Sequence, residues 1–218
     1  TAEIPQEGTN PEEAAVNPEE LPQEPQDENQ ENAQPESPPE EPPKPVELTI
    51  WEAIEANDLS QYKAALKRGA TVYDTNEEGE VPLLYALKHQ AKKIVTNILK
   101  SKVDITQKGV DNKDAMMYAI EYGMEAQVLN LFKLKHPVNN TDINDRNPLH
   151  YAAIRGLKKT CDLLLKAKSG INGQDIDGNS PLHYAMVNQV TGLVQLFCNY
   201  NPPLNMQNNA GQTIAHLA

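Results

Sequence analysis

Asp142-Ile143-Asn144-Asp145-Arg146-Asn147-Pro148-Leu149-His150-Tyr151-Ala152-Ala153 returns 33 residues further on as Asp175-Ile176-Asp177-Gly178-Asn179-Ser180-Pro181-Leu182-His183-Tyr184-Ala185. Each copy places a polar side chain, Asn147 or Ser180, directly before Pro-Leu-His-Tyr-Ala. That order spells a helix start. The polar oxygen accepts from a free N–H of the first turn, and proline fits there because its missing N–H would have no partner anyway. Thr213-Ile214 repeats the cap without the proline. Working outward, alanine holds the same interval at Ala53, Ala86, Ala119, Ala152, Ala185 and Ala218. A fixed period of this length marks a stacked-repeat protein.

Further columns keep the register. Tyr62, Val95, Val128, Cys161 and Val194 form one, Ala65, Ile98, Leu131, Leu164 and Phe197 a second, and Leu66, Leu99, Phe132, Leu165 and Cys198 a third. Within a unit these columns stand at i, i+3 and i+4, the spacing of one buried helical face. Gly156 breaks the first helix of its unit, and a second amphipathic stretch runs from Lys158 to Lys166. A loop rich in Gly, Asn and Asp then follows, here Ser169-Gly170-Ile171-Asn172-Gly173-Gln174-Asp175, made of residues that tolerate left-handed backbone angles. Each unit reads as helix, turn, helix, extended loop.

The two quoted stretches, with Leu163-Leu164-Leu165 behind the first and the unit ending Arg68-Gly69-Ala70-Thr71-Val72, resemble ankyrin repeats over residues 48–218. The resemblance implies an all-α solenoid of helix-turn-helix units with hairpin loops, at about 47–74, 75–107, 108–140, 141–173 and 174–206, with a truncated sixth at 207–218. Three units depart from the pattern. Val81-Pro82-Leu83-Leu84 lacks the histidine. Asp114-Ala115-Met116-Met117 lacks proline and histidine, with Asn112 at the loop glycine. Leu48-Thr49-Ile50-Trp51 is diverged, as suits a cap that shields a stack from water. The chain opens at Thr1 and stops inside the first helix of the sixth unit, so a longer protein is expected.

Residues 1–46 are of another composition: 11 prolines, 12 glutamates and Asp27, with Lys44 as the only base. They carry the whole formal charge of −12, and residues 47–218 balance 18 acids with 18 bases. Such a segment buries too little apolar surface to offset its ordering entropy, so a disordered, extended acidic spacer is expected. Its Pro39-Glu40-Glu41-Pro42-Pro43-Lys44 fits a polyproline II ligand, a pattern common by chance in proline-rich sequence. Lys92, Lys93, Lys158, Lys159, Lys166 and Lys168 lie on or beside the second helices; the expected reading is ordinary helix solvation balancing the acidic loops, and the competing one has the acidic stretch fold back on this lysine-rich face.

No catalytic, cofactor-binding or metal-binding residues are expected. Glycines are scattered as turn residues rather than gathered in a phosphate loop, and Ser180 and Thr213 serve as caps. His150, His183 and His216 stand one repeat apart; packed helices are about 8–10 Å apart, too far for a shared zinc ion with ligands near 2 Å. The resemblance gives that histidine a structural hydrogen-bonding role. His89 and His136 have no evident partner set, and Cys161 and Cys198 read as small buried hydrophobes. An acidic arm and a neutral repeat region disfavour nucleic acid, and no apolar run reaches the ~20 residues of a membrane span.

The expected activity is therefore non-catalytic binding of a protein partner by a monomer, through a concave face of loop tips and first helices. By resemblance, the variable positions there include Glu77, Glu78, Glu80, Lys88 and His89, then Val110, Asp111, Lys113 and Glu121. The candidate partner-binding residues are Tyr122, Ile143, Arg146, Ile154, Arg155, Ile176, Val187 and Asn188. The pairs Ile143/Ile176 and Ile154/Val187 are each 33 apart, and a contiguous apolar patch edged by Arg and Tyr is the composition of an interface. The competing reading tucks Ile143 and Ile176 under adjacent loops as staples between repeats. Two alternatives place the array in a larger enzyme as a targeting module, or in a secreted or envelope-anchored scaffold. Localisation stays open, with the cytoplasm favoured.

Overall fold

A computed structural model describes residues 47–217. The acidic stretch 1–46 and Ala218, last of the alanine series, lie outside the described residues. Among the described residues ten short α-helices follow in pairs: α1 (Ile50–Glu55) with α2 (Leu59–Lys67), α3 (Pro82–Lys88) with α4 (Lys92–Lys100), α5 (Ala115–Glu121) with α6 (Glu125–Lys133), α7 (Pro148–Ile154) with α8 (Lys158–Lys166), and α9 (Pro181–Val187) with α10 (Thr191–Cys198). A 3₁₀ turn at Ile214–His216 opens the sixth unit, and no strand occurs among the described residues.

Helices of 6 to 9 residues are too short to persist alone, so their stability comes from neighbours. First helices pack in one row, α1 on α3, α3 on α5, α5 on α7 and α7 on α9; second helices pack behind them, α2 on α4, α4 on α6 and α8 on α10. Between the rows lies one continuous apolar core.

The alanine column explains how the row closes. Ala53, Ala86, Ala119, Ala152 and Ala185 are wholly buried, where a larger side chain would hold the rows apart. Their carbonyls accept from the N–H five residues on, from Asp58, Ala91, Met124, Leu157 and Val190. This is the bond that ends a helix when the intervening residue is left-handed, and that residue is Asn57, Gln90, Gly123, Gly156 or Gln189, each with positive φ. Gly156 is thus one of five residues in a register that glycine only sometimes fills.

Helix starts follow the capping prediction. Asn147, Ser180 and Thr213 form capping boxes with His150, His183 and His216, as Thr49 does with Glu52. The helical columns are buried, with two differences. Leu66, Phe132 and Val194 are only half-buried. Cys198, expected in the core, is exposed: among the described residues no further helix follows α10 to cover it.

Candidate functional site

Five tight loops precede the first helices of units two to six, and they are built alike. The first loop residue, Asn76, Gly109, Asp142, Asp175 or Asn208, donates its N–H to the carbonyl four residues on. The residue three on, Gly79, Asn112, Asp145, Gly178 or Gly211, is left-handed. Where the first residue has a side chain, its oxygen accepts two more backbone N–H groups. Asp142 takes those of Asn144 and Arg146 at 2.9 and 2.8 Å, and Asp175 those of Asp177 and Asn179 at 3.1 and 2.8 Å. Both carboxylates are buried and also accept a hydroxyl: Tyr151 donates to Asp142 at 2.7 Å, and Tyr184 donates to Asp175. Burial first, and then the adjacent carboxylate, push both phenols above their ordinary range.

The loops are also joined to one another. Ile143 N–H donates to Asp111 O at 2.9 Å, Ile176 N–H to Asn144 O at 3.1 Å and Asn209 N–H to Asp177 O at 2.9 Å. These bonds fix the tips in a row. Behind them, His150 Nε2 donates to Asn179 O at 3.1 Å and His183 Nε2 to Gln212 O at 3.3 Å. Each imidazole accepts the cap N–H at Nδ1, 3.1 Å in both. The histidines therefore tie each helix start to the next unit's backbone, as the resemblance implies.

Against this frame the candidate residues separate into three groups. Ile143, Ile176 and Val187 are 61%, 53% and 60% exposed, and Arg155 is exposed with its guanidinium lying over Gly123. The reading that tucks Ile143 and Ile176 under neighbouring loops fails, since both project from the tips. Tyr122 and Ile154 are half-buried, with Tyr122 stacked on Tyr118 at a 6.4 Å centroid distance. Arg146 and Asn188 already serve between repeats. Arg146 Nε lies 3.4 Å from Asp175, with the guanidinium over the Tyr184 ring, and Asn188 Nδ2 donates to Ile154 O at 3.0 Å.

The sequence places Val110 on the open face but not among the candidate binding residues; it stands 33 residues before Ile143 and is 45% exposed, so it extends the tip row. Two further features were missed by sequence reasoning. Glu80, expected on the open face, is buried beside Lys88 at 3.4 Å and the Tyr118 hydroxyl at 3.5 Å. It substitutes for the carboxylate that Gly109 cannot offer Tyr118. His136, without an evident partner set in the sequence, is buried with Nε2 4.0 Å from the Asp114 carboxylate. Asp114 caps α5 through Met117 N–H and holds the Asn140 amide at 3.0 Å. In this third unit, one of those without the helix-start histidine, a histidine from the following loop thus approaches the cap, and no periodic signal announces it.

Among the described residues no three His, Cys, Asp or Glu side chains gather as a metal site, and no helix is long and apolar enough to cross a membrane. Burial pushes the Cys161 thiol up to about 12, which leaves it without thiolate at neutral pH.

No curated protein matches the chain. The family model described as ankyrin repeats (three copies) matches residues 94–177 and again 149–218, together more than half of the sequence. Proteins of this family are in general protein–protein interaction modules, and their fold is typically non-catalytic. With the loops, caps and histidine bridges in place around that match, the chain belongs to the ankyrin-repeat family.

Proposed function

We propose that this chain binds a protein partner, without catalysis, through the loop tips and first-helix ends of its third to fifth units. The observation that carries the reading is the row of exposed aliphatic side chains at Val110, Ile143 and Ile176, with Val187 behind it. Repeated apolar side chains held in the open by backbone hydrogen bonds between loops cost solubility, and contiguous patches of this kind mark interfaces. Arg155 and the half-buried Tyr122 supply the polar and aromatic edge, residue types enriched among binding hot spots, and the half-buried Ile154 adds apolar surface beside them. Arg146 and Asn188 hold neighbouring repeats in register and act on the partner through that geometry.

The test compares the chain with an Ile143→Ser, Ile176→Ser, Val187→Ser variant, each used as bait for cross-linking in the source cell. All three side chains are exposed, so the variant should unfold at the parental temperature. A partner captured by the parent through lysines near the tips, and lost from the folded variant, supports the reading. Capture undiminished in the variant would refute it.

A further inference from the structure

We propose a second binding surface, separate from the loop tips: a lysine-lined groove across the second helices of the first three units, shaped for an acidic polypeptide segment. The groove, about 480 Å³, lies between α2 and α4 and reaches α6. Its charged lining is Lys63, Lys92, Lys93 and Lys100, without an acid or an aromatic ring. All four lysines are exposed. Among the described residues no carboxylate lies within 4.0 Å of them, whereas Lys113 and Lys166 each have one and Lys88 has two.

The local helix chemistry is at odds with stability alone. α4 opens on Lys92 and Lys93, and its cap Ala91 offers no side-chain acceptor, so two cations sit where the helix already carries partial positive charge. α2 is capped by Asp58, and α6 opens on Glu125. α8 opens on Lys158 and Lys159, but carries Asp162 one turn later. Unbalanced charge that breaks a local rule without a structural gain is the signature of a functional site. Here the missing element is an anion.

The floor of the groove favours a polypeptide. Thr96 Oγ1 donates to Lys92 O at 2.8 Å, and the buried Gln127 amide reaches both at 3.4 Å, so α4 and α6 are locked and the lysine positions are fixed. Lys92 and Lys100 are separated by about 12 Å of helix, the span of about four extended residues, which matches carboxylates spaced along a chain. No arginine fork is present for bidentate phosphate contacts, and no ring on which a nucleic-acid base could stack.

The experiment is fluorescence anisotropy of a labelled short peptide of alternating glutamate and proline, titrated with the full chain. Two variants of equal net charge are compared. One carries Lys63→Gln, Lys92→Gln, Lys93→Gln and Lys100→Gln; the other carries Lys133→Gln, Lys135→Gln, Lys159→Gln and Lys168→Gln. All eight lysines are exposed, so both variants fold. The expected result is saturable binding to the parent, weakened about tenfold in the groove variant and less than about twofold in the other, and also lost as salt rises to about 0.3 M. Three results would overturn the proposal: no saturable binding to the parent, equal losses in the two variants, or tighter binding of a thymidine oligonucleotide than of the acidic peptide.

Discussion

His150 shows how much one side chain does in this fold. Fully buried at the start of α7, it accepts the Asn147 N–H and donates to the Asn179 carbonyl of the next unit. Burial holds its pKa below the ordinary 6.5, with the Asn179 carbonyl pulling the other way. The sign follows from linkage: the unfolded imidazole binds a proton more readily than the folded one, so His150 favours the fold above about pH 6.5 and opposes it as pH falls below that value. Denaturant titrations at about pH 7.5 and 5.5 should show the parent losing stability in acid. His150→Gln should be about 1–3 kcal/mol less stable at the higher pH and lose less on acidification; an equal acid loss in the two proteins would sink the argument. The cysteines give a second prediction. Exposed Cys198 should react with a thiol reagent in the native protein, and Cys161, buried with its pKa pushed up to about 12, only on unfolding. Two fast thiols would contradict the burial of α8.

At the scale of elements, the loop before α5 shows why a repeat pattern predicts position better than chemistry. Register puts Gly109 where the next two loops have aspartate, and a repair of the pattern by Gly109→Asp looks stabilising on sequence alone. The packing says otherwise. A Cβ at Gly109 would meet Leu84 Cδ1 at 3.1 Å and the Tyr118 hydroxyl at 3.2 Å, because that phenol turns toward Glu80 and Val110 O. Gly109→Asp should therefore destabilise by about 1–3 kcal/mol, the usual cost of overpacking, read as a lowered denaturation midpoint; a stabilised variant would show that the loop can adopt the aspartate form. The same limit governs what the sequence made legible. The helix pairs, the caps Asn147 and Ser180 and the buried alanine column follow from period and side-chain type, since each depends on local backbone chemistry. The Glu80 substitution and the buried His136–Asp114 approach depend on which side chain fills the space left by a departure from the pattern, and no periodicity encodes that. At the candidate site, Ile143, Ile176 and Val187 stood out by interval, but the ties of Arg146 to Asp175 and of Asn188 to Ile154 O are contacts between units and appear only in three dimensions.

For the whole stack, the governing fact is that among the described residues the main helix contacts run within a unit or between adjacent units, so stability is a sum of unit and interface terms and need not be lost all at once. The His150 and His183 bridges and the tip-to-tip backbone bonds carry the interface terms on the loop side, and the alanine column carries them between first helices. A defect at the end of the stack should then stay local, and one in the middle should not. Phe197 in α10 and Leu131 in α6 are both wholly buried and occupy the same column. Truncating each to alanine should remove about 3–5 and 2–5 kcal/mol of packing respectively. Hydrogen exchange resolves where the loss is felt. Phe197→Ala should raise exchange in α9, α10 and the 3₁₀ turn while α3 to α6 keep parental protection. Leu131→Ala should raise it on both sides, because α5 and α6 bridge the first two units to the last two. Uniform loss of protection from Phe197→Ala would mean that the stack unfolds as one cooperative body, and that the bridges between units are stronger than the units they join.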